Sequence, residues 1–100
     1  MITKALFVRL EAKPGKEAEV ARFLQAGVGM AEQEPGTMVW FALQIGPSTF
    51  GVFDAFSDEE GRQAHLTGAI AQALGDNAPK LLSQPPSIER IDVLGTKLPS

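Results

Sequence analysis

Two apolar stretches, Thr37 to Ile45 and Thr49 to Phe56, flank the short polar break Gly46-Pro47-Ser48. Their aromatic and β-branched residues read as two strands joined by a hairpin connection. Neither strand alternates apolar with polar, as a strand with one face in water should. Met38, Trp40 and Ala42 share one face of the first strand, and Val39, Phe41 and Leu43 share the other. On the second, Phe50, Val52 and Phe56 oppose Phe53. A hairpin apolar on both faces needs cover on both.

The flanking sequence supplies cover for one face. Ile2 to Leu10 reads as a first strand, with Leu6, Val8 and Leu10 on one side and Ala5, Phe7 and Arg9 on the other. Lys13-Pro14-Gly15 ends it. A helix follows from Lys16 to about Glu32, with Val20, Phe23, Leu24, Gly27 and Ala31 at helical spacing. Gly27 and Gly29 weaken its last turns, and Glu34-Pro35-Gly36 turns the chain into the hairpin. After the hairpin, Ser57-Asp58-Glu59-Glu60 has the form of a capping box with Ser57 as the cap. The second helix is expected from Asp58 to about Leu74, with Leu66, Ile70, Ala73 and Leu74 as its apolar stripe and Gly75-Asp76-Asn77 as its stop. Pro79 to Leu82 is expected to add one further turn. Gln84-Pro85-Pro86 then leads, extended, into a fourth strand from Ile88 to Leu94.

The order β-α-β-β-α-β predicts an α+β, ferredoxin-like domain with a four-stranded antiparallel sheet, spanning residues 1–100 as one unit. Right-handed crossovers place both helices on one face of the sheet. A second copy of the chain is the natural cover for the other face, which predicts a homodimer through the sheet. The net charge of -3 and nine scattered Lys and Arg residues provide no basic patch, so neither nucleic acid nor membrane is expected as a partner. Absence of cysteine excludes disulfides and thiolate chemistry. With no spanning apolar run and no signal-peptide pattern at Met1, the expected location is the cytoplasm.

Chemistry-bearing groups concentrate between Thr49 and His65, the only histidine. His65 lies at the flank of the apolar stripe, where a side chain looks either into a helix–sheet cleft or out to solvent. An imidazole there is expected to carry little core packing, and its unperturbed pKa of about 6.5 suits it to moving protons at neutral pH. Arg62, one turn earlier, is placed to share a ligand or to depress that pKa, or else pairs with Glu59 or Asp58. Gly61 and Gly68 admit either close packing or a ligand. Asp54 sits in a strand that otherwise reads as buried, so it needs a partner, backbone donors or a proton. With a three-residue hairpin loop, Trp40 lies opposite Asp54 as either core or an aromatic wall. One histidine cannot build a multi-histidine metal centre, Ser57 is committed to its cap, and no glycine-rich phosphate loop follows a strand.

Several of these segments together resemble the antibiotic biosynthesis monooxygenase family of dimeric α+β barrels. They are the opening strand into Lys13-Pro14-Gly15-Lys16, Glu34-Pro35-Gly36-Thr37 into Trp40, and Phe53-Asp54-Ala55-Phe56 leading through Gly61-Arg62 to Ala64-His65-Leu66. Pro85-Pro86 to Leu94 completes the pattern, and the helix histidine after an aromatic strand is its most specific part. The resemblance implies a homodimer packed sheet against sheet, with a pocket in each protomer. It also implies oxidation of a small phenol or quinol by dioxygen with no metal, flavin or other cofactor. His65 matches the family's helix histidine, which implies the catalytic role, and Trp40, Phe53, Asp54 and Arg62 are the candidate substrate-binding residues. The haem-degrading branch of the superfamily does not fit, since the first strand has no Asn and the third has no Trp. The same scaffold leaves two alternatives open: a non-catalytic dimer binding a small hydrophobic metabolite, or an isomerase or cyclase.

Overall fold

In the computed structural model, which describes residues 1–99, the hairpin forms from β2 (Thr37–Gln44) and β3 (Thr49–Phe56). β1 (Lys4–Glu11) pairs antiparallel with β3 on one side and with β4 (Ser87–Asp92) on the other. The sheet order is β2-β3-β1-β4, the ferredoxin-like arrangement. Each strand and the first helix, α1 (Glu17–Ala31), begins and ends within about two residues of its sequence-based bounds. No helix among the described residues is long and apolar enough to cross a membrane.

The second helix differs from expectation in three ways. It starts one residue later, as α2 (Glu59–Leu66), because Asp58 and not Ser57 is the cap: the Gly61 N–H donates to Asp58 Oδ1 at 2.9 Å. The backbone carbonyl of Ser57 instead receives the Thr3 hydroxyl. The helix also breaks at Thr67-Gly68 and resumes as α3 (Ala69–Leu81). There the Thr67 N–H returns to Gln63 O and the Gly68 N–H to His65 O, closing α2, while Gly68 turns extended to open α3. Finally, Gly75-Asp76-Asn77 does not stop the chain. Leu74, Ala78 and Leu81 all pack on the core, and the Asn77 amide donates to Ala73 O inside the helix. Tertiary burial outweighs the weak local propensity for a stop, and α3 runs through Pro79.

The core lies between the helices and one sheet face. Val8, Leu10, Phe50 and Val52 from the sheet meet Val20 and Leu24 of α1 and Leu81 of α3. The opposite face is apolar and uncovered within one chain. Phe7, Phe53 and Phe41 stand side by side across β1, β3 and β2, and Phe41 is 55% exposed.

Candidate active site

The hairpin register places Trp40 directly opposite Asp54, and β1 places Leu6 on Asp54's other side. All three point to the helix-covered face, because side chains alternate along a strand. Asp54 is fully buried. α2 crosses this face at close range: a Cβ on Gly61 would stand 3.1 Å from the carbonyl oxygen of Gly36. Two glycines facing each other let helix and turn approach this closely, and that approach brings His65 and Glu34 together over the sheet.

The imidazole of His65 is held on both sides. Its Nε2 lies 2.8 Å from Asp54 Oδ2, and its Nδ1 lies 2.6 Å from Glu34 Oε1. Phe56 packs against the ring at a centroid distance of 5.4 Å. Glu34 is itself anchored, since the Thr37 hydroxyl donates to Oε1 at 2.7 Å. The Nε2–Oδ2 contact is short but not well aligned, and neither oxygen of Asp54 has a hydrogen-bond donor in good geometry. Burial disfavours the charged imidazolium, yet the two carboxylates outweigh it and raise the pKa of His65 above its ordinary value. A carboxylate thus faces each ring nitrogen, and together they favour the imidazolium over the neutral ring.

A cavity of about 310 Å³ opens beside Asp54 and His65. Trp40, Leu6, Val52 and Ile70 are part of its apolar wall. A second concavity of about 390 Å³ lies by the other edge of the imidazole, against Glu34, Pro35 and Gly36. The first is the candidate site, because it joins an apolar wall to a buried carboxylate with no hydrogen-bond partner on either oxygen. The indole Nε1 of Trp40 is also buried without a partner.

Trp40, Asp54 and His65 thus meet at one cavity, while Phe53 and Arg62 do not. Phe53 follows the alternation of β3 onto the uncovered sheet face. Arg62 is buried and turned away from His65: its Nη1 donates to the carbonyls of Ala5 and Ile91, each at 3.2 Å, and its guanidinium pairs with Glu59. Its hydrogen bonds to the Glu59 carboxylate raise its pKa, so Arg62 stays charged as a clasp between α2 and the backbones of β1 and β4. Of the readings open for Arg62, the pairing with Glu59 is the one found, and it does not depress the imidazole's pKa; Asp54 and Glu34 set its direction. His65 is 7% exposed and packed, contrary to the expectation of a lightly packed flank residue. Gly68 is explained by close packing, since a Cβ there would lie 3.0 Å from Glu34 Oε2.

Glu34 is the site residue that sequence reading misses. It appears only as the first residue of a Glu-Pro-Gly turn, 31 positions from the ring it holds.

No family model and no curated protein matches the sequence. Among solved structures, a protein of unknown function from Nitrosomonas europaea, NE2512, is 62% identical, with 100% of this chain and 97% of that chain covered and a TM-score of 0.98. Two proteins named "putative antibiotic biosynthesis monooxygenase" share the fold at lower identity. The one from Nitrosomonas europaea is 19% identical over 92% of this chain and 90% of its own, at TM-score 0.82. The one from Caulobacter crescentus is 20% identical over 94% and 92%, at TM-score 0.76. The chain belongs to the family of the Nitrosomonas europaea protein of unknown function, and its fold is that of the antibiotic biosynthesis monooxygenases.

Proposed function

We propose that this chain is a single-domain, cofactor-independent monooxygenase that oxidises a small aromatic phenol or quinol with dioxygen and works as a homodimer. The observation that carries this reading is the buried Asp54 carboxylate, which lines an apolar cavity beside the His65 imidazole and has no aligned donor of its own. A phenol has a pKa of about 10, so its proton leaves readily only to a positioned acceptor, and Asp54 is the carboxylate that lines the cavity. In this reading Asp54 takes the phenolic proton and His65 holds Asp54 in place. His65 thus acts with Asp54 as one catalytic unit, not as the proton acceptor by itself.

The chemistry balances without an external reductant. The phenolate gives one electron to dioxygen, and the phenoxyl radical and superoxide couple at a ring carbon. The proton on Asp54 returns to the peroxide oxygen. Loss of the ring proton and cleavage of the O–O bond then release water and leave a quinone. Trp40 and the aliphatic wall serve to exclude water, which would otherwise stabilise the phenolate and slow its oxidation.

The uncovered face with Phe7, Phe53 and Phe41 supports the homodimer: one chain leaves Phe41 exposed and Phe7 and Phe53 half-buried, and a second copy would bury all three. One observation favours the alternative of a non-catalytic dimer that binds a hydrophobic ligand. Both nitrogens of His65 already face carboxylates, as in a purely structural clasp. The deciding experiment is a screen of hydroquinones and polyphenols for dioxygen uptake by metal-stripped protein. Uptake that saturates with one class of phenol supports the oxygenase. Tight binding of the same compounds without uptake favours the binding module.

A further inference from the structure

The geometry points to Glu34 as a positioning residue of this site: it grips His65 Nδ1, so that Nε2 stays 2.8 Å from Asp54 Oδ2 and the Asp54 carboxylate, with no aligned donor on either oxygen, is left as the acceptor beside the cavity. The inference rests on the phenol-oxidising reading for its consequence in catalysis, but its structural basis is independent of that reading.

Three observations converge. The contact is short, at 2.6 Å, and Glu34 is fixed in turn by the Thr37 hydroxyl, so the carboxylate is not a loosely placed surface group. The Gly36–Gly61 approach, with a built Cβ at 3.1 Å from backbone, fixes the distance between the turn and α2. Finally, the second concavity reaches Glu34 and His65 by the other edge of the ring, so this carboxylate lies nearer solvent than Asp54 does.

The charged groups acting on the ring are Asp54 from β3 and Glu34 from the α1–β2 turn, while Arg62 on the ring's own helix is committed to Glu59 and to the carbonyls of Ala5 and Ile91. The two flanking carboxylates favour the protonated ring, whose Nδ1 is hydrogen-bonded to Glu34 while Nε2 lies beside Asp54. Neither oxygen of Asp54 has an aligned donor. A ligand in the cavity must bring its own donor to this carboxylate, which selects a neutral hydroxyl over an ether or an already ionised phenolate. Glu34 acts through His65 and Asp54 and touches no substrate.

The test is Glu34→Gln, which keeps the shape and removes the charge. The imidazole of His65, the only one in the chain, is followed by NMR titration. Its pKa should move down in Glu34→Gln and move less in Glu34→Asp, which keeps a carboxylate. The limb of the pH–rate profile that reports His65, measured as dioxygen uptake on a neutral phenol, should move down in step. An imidazole pKa unchanged in Glu34→Gln overturns the inference whether or not the protein oxidises phenols. A rate that falls with both the titration and the limb in place also overturns it, because Glu34 is then only a structural strut. If wild type takes up no dioxygen with any phenol, the functional reading fails, and the NMR titration alone decides the link between Glu34 and His65.

Discussion

The indole of Trp40 lies so close to α1 that a Cβ built on Gly27 would stand 3.0 Å from its Cη2. A glycine inside a helix costs about 1 kcal/mol relative to alanine. Here it clears room for the aromatic wall of the cavity.

Gly27→Ala should therefore be a net loss. The gain in helix propensity is about 1 kcal/mol, while overpacking against a bulky ring costs about 1–3 kcal/mol. The indole can give only toward the cavities it lines, one of about 310 Å³ and one of about 80 Å³, which moderates the cost. The expected result is destabilisation of about 1 kcal/mol in urea unfolding, with a changed emission from the only tryptophan. A stabilised variant with unchanged emission would show that the indole does not rest on this helix.

The uncovered sheet face yields a prediction about mass. The protein should sediment as a dimer of 10.7 kDa protomers at tens of micromolar. Phe41→Glu should split it, because Phe41 is 55% exposed in a single chain and tolerates a charge there only if no partner covers it. Wild type found only near 10.7 kDa removes the basis for the dimer.

What the sequence makes legible follows from local rules. The three-residue loop 46–48 sets the hairpin register, and the register alone puts Trp40 opposite Asp54. Strand alternation also separates Phe53 from Asp54, although placing Phe53 in the pocket ignores this. Glu34 and the aim of Arg62 are not legible, since both depend on where α2 sits relative to distant backbone: Gly36 in one case, Ala5 and Ile91 in the other. The break at Gly68 escapes notice because apolar spacing continues across it from Leu66 to Ile70. Only the tertiary crowding of Gly68 by Glu34, Ala64 and His65 makes it visible.

The raised pKa of His65 carries a pH dependence with a definite sign. Burial opposes the charge, but Asp54 and Glu34 hold the proton more tightly in the folded state than in the unfolded chain. The ordinary value is about 6.5, so the stabilisation is fully present below that pH. Between that value and the raised folded one, the native state binds more protons than the unfolded state, and stability falls as pH rises. Urea midpoints should decline across this window and then level off. His65→Gln should flatten the decline. A midpoint that instead climbs through the window contradicts the assignment of the carboxylates as the cause.

The last prediction separates the base from its support. Asp54→Asn preserves shape and removes the proton acceptor, so dioxygen uptake on a neutral phenol should fall by about 10²–10⁴-fold. A substrate already ionised at assay pH has no proton to give and should lose much less. His65→Ala is a poorer test of chemistry, because it strands a fully buried carboxylate; breaking such a buried pair costs about 3–5 kcal/mol. That variant should unfold at lower urea, and its loss of activity would mix stability with mechanism. His65→Gln keeps a donor within reach of Asp54 and should retain more stability than His65→Ala while still slowing the reaction. If Asp54→Asn oxidises the neutral phenol at the wild-type rate, Asp54 is not the base. The proton must then pass to water or to the imidazole, and the two carboxylates on His65 would be structural.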